Sequence, residues 1–168
     1  MERIIPITVL ALMMICGTGC HSDKEPTEQG IQTEDREEEP TVGVLRDRLK
    51  GEGYEVFDYV DEKSGDTVLM QQYFMAFLKS GPNRSQSREE ADSLQRLHLA
   101  HLGRMYEEGY ADISGPFGDD GDIRGITIYN TPTLEMADSL ANLDPMVAAG
   151  RLVIEIHPWW AAKGFPLR

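Results

Sequence analysis

The order of predicted strands and helices after residue 70 limits the possible folds most strongly. Apolar and aromatic runs alternate there with helical patterns, in the order strand, helix, strand, strand, helix, strand. The strands are predicted at residues 67–78, 110–114, 125–129 and 152–156, and the helices at residues 88–108 and 131–143. Strands and helices mixed in this order predict an α+β domain with one sheet.

This order is that of the ferredoxin-like βαββαβ fold, whose helices lie on one face of the sheet. The other face needs a cover, and pairing two copies into a dimeric α/β barrel is one common solution. Residues 41–70 come before this unit and predict an N-terminal extension, with a helix at residues 42–50 and a strand at residues 54–60. Turn residues at 63–66 predict that this strand forms a hairpin with the next one.

Residues 1–19 have the pattern of a signal peptide that is removed from the mature chain. Arg3 is followed by an apolar run over residues 4–16, which is too short for a permanent membrane span. Small residues then lead to Cys20, as in a bacterial lipobox, so we expect lipidation at Cys20 and a membrane contact through the lipid anchor only. A lipid anchor of this kind predicts that the mature protein is located in the bacterial cell envelope. A simple signal peptide cut near Gly19 is the alternative.

Residues 20–40 are predicted to be a disordered acidic tether. Residues 21–40 carry eight acidic side chains and two basic ones, with Ile31 as the one large apolar residue. A spacer is the favoured interpretation over an export or sorting signal. The whole chain has a net charge of −13 and no basic stripe, so we expect no nucleic-acid partner. Loss of Cys16 with the signal and lipidation of Cys20 would leave no free thiol.

The predicted helix at residues 88–108 carries two histidines, His98 and His101, within its apolar stripe. That stripe comprises Leu94, Leu97, Leu102 and Met105. Ser87 and Glu90 form a capping-box pattern at the start of the helix. A buried imidazole needs a hydrogen-bond partner and changes charge near neutral pH, so this helix is either an ordinary core helix or one wall of a reactive pocket.

Over residues 71–160 the chain resembles the YCII-like domain family, which leaves residues 161–168 as a tail. The resemblance lies in the ordered motifs His98-Leu99-Ala100-His101-Leu102, Glu108-Gly109, Ser114-Gly115-Pro116, Gly125, Asp144-Pro145, Ala149-Gly150 and His157-Pro158-Trp159. It implies a ferredoxin-like homodimer, a small organic molecule as ligand, and a histidine–aspartate pair in catalysis. One branch of the family acts on chlorinated hydroxyquinols. On this chain the pair maps to His98 and Asp144.

A histidine beside a carboxylate is a general-base arrangement, in which the carboxylate fixes the tautomer of the ring. His98 and Asp144 are therefore the candidate catalytic residues of a lyase-type or isomerase-type enzyme. In the competing interpretation, Asp144 caps the turn at Pro145 and His98 is a buried histidine bonded to backbone. The protein would then be a non-catalytic module for ligand binding or oligomerisation.

Three further residues are candidates for substrate binding: His101, Arg84 and Arg124. Each arginine can bind a substrate carboxylate, although a solvated surface charge is the plainer interpretation. His98 and His101 have metal-ligand spacing, but no third ligand follows at motif spacing, so no metal is expected. The acidic turn at residues 118–122 lacks the glutamate of a calcium loop. No cofactor is predicted.

Overall fold

The computed structural model describes residues 40–168, which form five strands and four helices. The calls on the signal peptide, Cys20 and the tether up to residue 39 lie outside the described residues. In chain order the elements are α1 (Val42–Gly51), β1 (Val56–Val60), β2 (Thr67–Ser80), α2 (Arg88–Glu107), β3 (Ala111–Pro116), β4 (Ile123–Tyr129), α3 (Leu134–Asn142), α4 (Pro145–Ala148) and β5 (Leu152–Ala162).

The strands form one antiparallel sheet in which β2 is central. Strand β5 pairs with one edge of β2 along most of its length, and the other edge pairs with β1 at its start and with β4 further along. Strand β3 pairs with β4. From β2 onward the strands therefore lie in the order β5-β2-β4-β3, with α2 and α3 as the crossover helices. This is the ferredoxin-like arrangement, and the predicted α+β fold class is confirmed.

Alternate residues of β2 form the main core against the helices. Phe74 and Ala76 point to the same side, because side chains alternate along a strand, and they pack with Met105 of α2 and Ala137 of α3. Ala76 and Ala137 have no exposed surface, so the helices approach the sheet closely at this point. The residues that form the candidate site belong to this helix-covered face.

Helix α1 covers part of the opposite face. Its Leu49 packs with Val56 and Leu69, which lie on the side of the sheet that Phe74 and Ala76 leave free. The N-terminal extension is thus part of the same sheet and of a second small core. The sequence analysis left one face of the predicted sheet uncovered, and α1 covers part of that face.

Two local expectations were wrong. The last strand was predicted to end at residue 156, yet β5 continues through Pro158 to Ala162. Pro158 has no N–H to donate, but β5 lies at the edge of the sheet, where this does not interrupt the hydrogen bonds between strands. Leu97 was assigned to the buried stripe of α2 but is 51% exposed. The buried side of α2 is narrow and consists of His98, His101 and Met105.

Candidate functional site

His98 lies mid-way along α2, and its position is fixed by the start of that helix. The Ser87 side chain accepts from the Glu90 N–H, and the Glu90 side chain accepts from the Ser87 N–H, so the predicted capping box is present. The helix then carries His98 onto the sheet-facing side, where the residue is 8% exposed. An imidazole held this deeply needs an internal partner.

Asp144 is that partner, and it is the N-cap residue of α4. Its Oδ1 accepts a hydrogen bond of 2.9 Å from the Met146 N–H, and its Oδ2 lies 2.5 Å from His98 Nδ1. Pro145 occupies the first turn of α4, where its missing N–H is harmless. The two interpretations of Asp144 are therefore compatible, because one oxygen caps the helix while the other contacts the histidine.

His98 also lines a pocket of about 340 Å³ between α2 and the sheet. The pocket walls are mainly apolar and include Leu78, Leu99, Leu102, Met146 and Leu152. Nδ1 of His98 contacts Asp144, whereas Nε2, the second ring nitrogen, forms no hydrogen bond with a described residue. Nε2 is also not among the fully buried polar atoms that lack a partner. This leaves Nε2 available to a molecule in the pocket. The volume is at the low end of the range for small-molecule sites, roughly 300 to 1,000 Å³.

His101 lies three residues after His98 on α2 and does not line the pocket. It is 3% exposed, and Arg104 Nη2 donates to its Nδ1 at 3.2 Å. Its Nε2 is buried and forms no hydrogen bond of normal geometry with a described residue. The Leu140 backbone lies close to the ring and acts to raise the pKa of His101. Burial lowers the pKa of His101, the Asp144 charge opposes this, and Arg104 and His98 lower it further. A neutral core imidazole results.

This pKa direction predicts that acid destabilises the protein through His101. Between the lowered pKa in the fold and the ordinary value of about 6.5, the unfolded chain binds more protons than the folded one. We therefore expect stability to fall as the pH decreases through about 6.5. Urea unfolding of wild type and of His101→Asn checks this, and the stability difference between them should shrink below that pH. A difference independent of pH would contradict the assignment.

The two arginines lie in different places. Arg84 is exposed in the loop after β2 and does not line the His98 pocket. Arg124 borders the His98 pocket, and its Nη1 donates to the Gly121 carbonyl at 3.0 Å. Arg124 lies where the pairing of β2 with β4 is irregular, between the Leu78–Gly125 and Lys79–Ile123 pairs. Of the predicted site residues, His98 and Asp144 are in direct contact, and Arg124 borders the same pocket.

Two polar pocket residues escaped the sequence analysis. Gln95 precedes Leu99 by four positions and Leu102 by seven, a spacing that places all three on one side of α2. In the sequence analysis Ser114 was named only as part of the Ser114-Gly115-Pro116 motif. It lines the pocket from β3, and its Oγ lies 3.1 Å from Thr127 Oγ1. Both side chains can donate and accept hydrogen bonds, so they can orient a ligand beside His98.

His157 is outside this site. Its Nε2 lies 2.9 Å from Glu155 Oε1 on the exposed side of β5. Within residues 40–168, no group of three or more histidine, cysteine, aspartate or glutamate residues is arranged to hold a metal ion. The side chains of the pocket itself can transfer protons and form hydrogen bonds.

Comparisons with known proteins add a likeness of fold. No family model matches this chain, and no curated protein matches it. Among solved structures, it is similar to 5-chloro-2-hydroxyhydroquinone dehydrochlorinase from Burkholderia phenoliruptrix AC1100, in complex with 2,5-dihydroxybenzoquinone. The two chains are 22% identical, the match covers 52% of this chain and 92% of the other, and the TM-score is 0.39. The fold assignment itself rests on the strand order described above.

Proposed function

We propose that this protein is a small-molecule enzyme of the lyase or isomerase type, in which His98 is the general base and Asp144 orients it. The observation that carries the proposal is the contact of 2.5 Å between His98 Nδ1 and Asp144 Oδ2, on a histidine that lines a pocket of about 340 Å³. Buried histidines bonded to backbone are common in cores. A buried carboxylate on one nitrogen, with the other nitrogen facing a cavity, is the arrangement that base catalysis needs.

In this mechanism the Nδ1–H of His98 donates to Asp144, so Nε2 carries the lone pair and removes a proton from the substrate. The carboxylate then stabilises the imidazolium that forms. Return of the proton to another atom of the substrate gives an isomerase, and departure of a leaving group gives a lyase. Gln95 and Ser114 can hydrogen-bond the polar part of the substrate, while the leucines and Met146 contact its apolar part. A positioned base of this kind contributes roughly 10²- to 10⁴-fold in rate.

The wider context of the proposal comes from the sequence. We propose membership of the YCII-like family, a lipid anchor at Cys20 and a place in the bacterial cell envelope. None of the helices in residues 40–168 is long and apolar enough to cross a membrane. A homodimer is proposed through the part of the open sheet face beyond α1, where Phe77 and Ile126 are half-buried and lie on the side away from the helices.

Metabolite profiling of bacteria that express the full chain tests catalysis without a known substrate. We expect at least one metabolite to fall and another to rise in cells with the wild type, and both changes to vanish with His98→Gln. His157→Gln is the matched control, because this histidine lies outside the pocket, and it should behave as wild type. Metabolite pools that are the same for wild type and His98→Gln, at equal protein levels, would contradict catalysis and favour a ligand-binding module.

A further inference from the structure

Two hydroxyl groups lie against each other beside the His98 pocket. Ser114 of β3 and Thr127 of β4 are direct partners in the antiparallel ladder, so their side chains lie on the same face of the sheet. Thr127 also pairs with Ala76, which packs against the helices, and this face is therefore the one that α2 covers. The Ser114 Oγ lies 3.1 Å from the Thr127 Oγ1, so one hydroxyl donates a hydrogen bond to the other.

The burial of the two residues decides which hydroxyl is the donor. Thr127 is 1% exposed, and Ser114 is the one hydrogen-bond partner of its side chain within residues 40–168. A buried O–H group that finds no acceptor costs free energy, whereas an exposed hydroxyl can donate to water or to a ligand. Ser114 is exposed. The Thr127 hydroxyl therefore donates, and the Ser114 oxygen accepts.

The hydroxyl hydrogen of Ser114 is then left for a molecule in the pocket. Ser114 lines the pocket that His98 also lines, and its oxygen already accepts from Thr127. Two hydroxyls that donate in the same direction polarise each other, which strengthens the outer donor. The ligand atom that lies against Ser114 should therefore be an acceptor, such as the oxygen of a carbonyl group.

We propose that Thr127 holds the Ser114 hydroxyl as a donor, and that the substrate is a carbonyl compound whose oxygen accepts from Ser114 while His98 removes a hydrogen from the adjacent carbon. This assignment of the substrate rests on the proposed function of His98 as a base. A donor aimed at an oxygen where negative charge develops stabilises the transition state. Ser114 is thus a catalytic residue, and Thr127 is a positioning residue.

The step balances in protons and electrons. His98 Nε2 binds the hydrogen, the electron pair of the C–H bond becomes a carbon–carbon double bond, and the carbonyl π pair moves onto oxygen. The enolate that forms accepts from Ser114. Return of the proton from His98 to another atom of the enolate gives an isomer. In a lyase, the electrons re-form the carbonyl and a leaving group departs from the next carbon with its bonding pair, while His98 releases the proton to water.

The remaining walls limit the size and the polarity of this carbonyl compound. The pocket has a volume of about 340 Å³, and Leu99, Leu102 and Met146 present hydrocarbon to it. A polyhydroxylated sugar would bring hydroxyl groups against these side chains without hydrogen-bond partners, at a cost in free energy. We therefore expect a compact ketone or related carbonyl compound with a largely apolar skeleton.

Two probe molecules of the same shape test whether Ser114 donates. The oxyanion of 4-nitrophenolate only accepts hydrogen bonds, whereas the amino group of 4-nitroaniline donates them, and the absorbance of each reports binding to the full chain at one mildly alkaline pH. We expect Ser114→Ala to weaken 4-nitrophenolate binding roughly 10-fold and 4-nitroaniline binding by less than about twofold. Ser139→Ala is the matched control, because Ser139 lies exposed on α3 outside the pocket, and it should bind both probes as wild type does.

Three results would overturn the assignment of Ser114 as a donor. They are a larger loss of 4-nitroaniline binding, equal losses for both probes, and no binding of either probe to the wild type. A larger loss for 4-nitroaniline would mean that Ser114 accepts from the ligand. Equal losses would mean that the substitution changes the shape of the pocket.

Variants of Thr127 test how the donor is held. Thr127→Val keeps the shape of the side chain without its hydroxyl, so we expect 4-nitrophenolate to bind about 3-fold more weakly and 4-nitroaniline to bind as before. Thr127→Ser returns the hydroxyl and should restore the affinity, which a role in packing alone would not explain, because serine lacks the methyl group. Wild-type binding by Thr127→Val, or no recovery in a Thr127→Ser protein that urea unfolding shows to be folded, would overturn the positioning role.

Base catalysis by His98 and hydrogen bonding by Ser114 can fail separately, because binding of the probes requires no proton transfer. Metabolites that respond to His98→Gln should carry a carbonyl group beside a carbon that bears hydrogen. Responding metabolites without this group would overturn the substrate class and leave catalysis intact. The expected probe results together with metabolite pools that ignore His98→Gln would support the donor at Ser114 and overturn the carbonyl substrate along with catalysis.

Discussion

Asp144→Ala is expected to destabilise the protein by about 3 kcal/mol, a large share of the stability of an ordinary domain. The carboxylate is 2% exposed and serves two groups at once. Its loss removes the cap of α4, worth roughly 1 kcal/mol, and leaves the Nδ1–H of His98 buried without a partner, at a cost of about 1 to 3 kcal/mol. Urea unfolding should show a lower midpoint with an unchanged slope.

Asp144→Asn separates the two roles of this carboxylate. The amide oxygen can still accept from the Met146 N–H, so the cap survives and the loss of stability is smaller. The amide NH₂ can only donate toward His98, which forces Nδ1 to become an acceptor and puts the hydrogen on Nε2. His98 then cannot act as a base, and we expect the activity to disappear while most of the stability remains.

Asp138→Ala is the matched control for both variants, because Asp138 lies exposed on α3. It should change stability by less than about 0.5 kcal/mol, as surface substitutions usually do. An Asp144→Ala protein no less stable than Asp138→Ala would show that the buried contact contributes nothing to the fold.

Alanine substitutions at Gly81 and at Gly103 are expected to change the stability of the protein in opposite directions. A Cβ on Gly81 would lie 2.3 Å from the Gly150 carbonyl oxygen and 2.7 Å from the Arg151 carbonyl carbon, so backbone must move. Gly81→Ala should therefore destabilise the protein by about 2 kcal/mol. A Cβ on Gly103 meets nothing within 4 Å, and this residue lies exposed inside α2. Gly103→Ala should stabilise by about 0.5 to 1 kcal/mol.

Thermal and urea unfolding of these two variants measure the difference directly. The Gly81 N–H donates to the Arg151 carbonyl at 2.9 Å, and the Asn83 N–H donates to the Gly150 carbonyl at 3.0 Å, so the two loops are fixed against each other. Because Gly150 follows α4, displacement of this loop should also disturb the helix that Asp144 caps. An unchanged stability of Gly81→Ala would mean that the loops can separate without cost.

The order of elements was predictable because each one carries its own local signal. The capping box at Ser87 and Glu90, the glycine that follows α2 and the Asp-Pro step before α4 are all visible in the sequence. The approach of His98 to Asp144 also followed from the fold, since α2 and the segment after α3 must lie on the same face of the sheet. The catalytic role of the pair stays a prediction.

Other features depend on contacts that periodicity does not encode. The alternation in β1 gives no indication of which face α1 covers, because the same pattern suits either side of the sheet. The continuation of β5 past Pro158 depends on its place at the edge, which only the strand order reveals. The exposure of Leu97 was also not predictable from periodicity, because Leu97 directly precedes His98 and lies at the margin of the buried side of α2. The pocket residues Gln95 and Ser114 become recognisable only when α2 and β3 are placed together.

The long strand β2 has a mechanical consequence. It pairs with β1 at Met70 and forms part of the pocket wall at Leu78, eight residues further on, which corresponds to about 27 Å of extended chain. A single hydrogen-bonded strand cannot easily shorten or bend over that distance. The distance between the N-terminal hairpin and the pocket is therefore fixed by one continuous strand, so a contact made at one end of β2 restricts the position and direction of the pocket at the other.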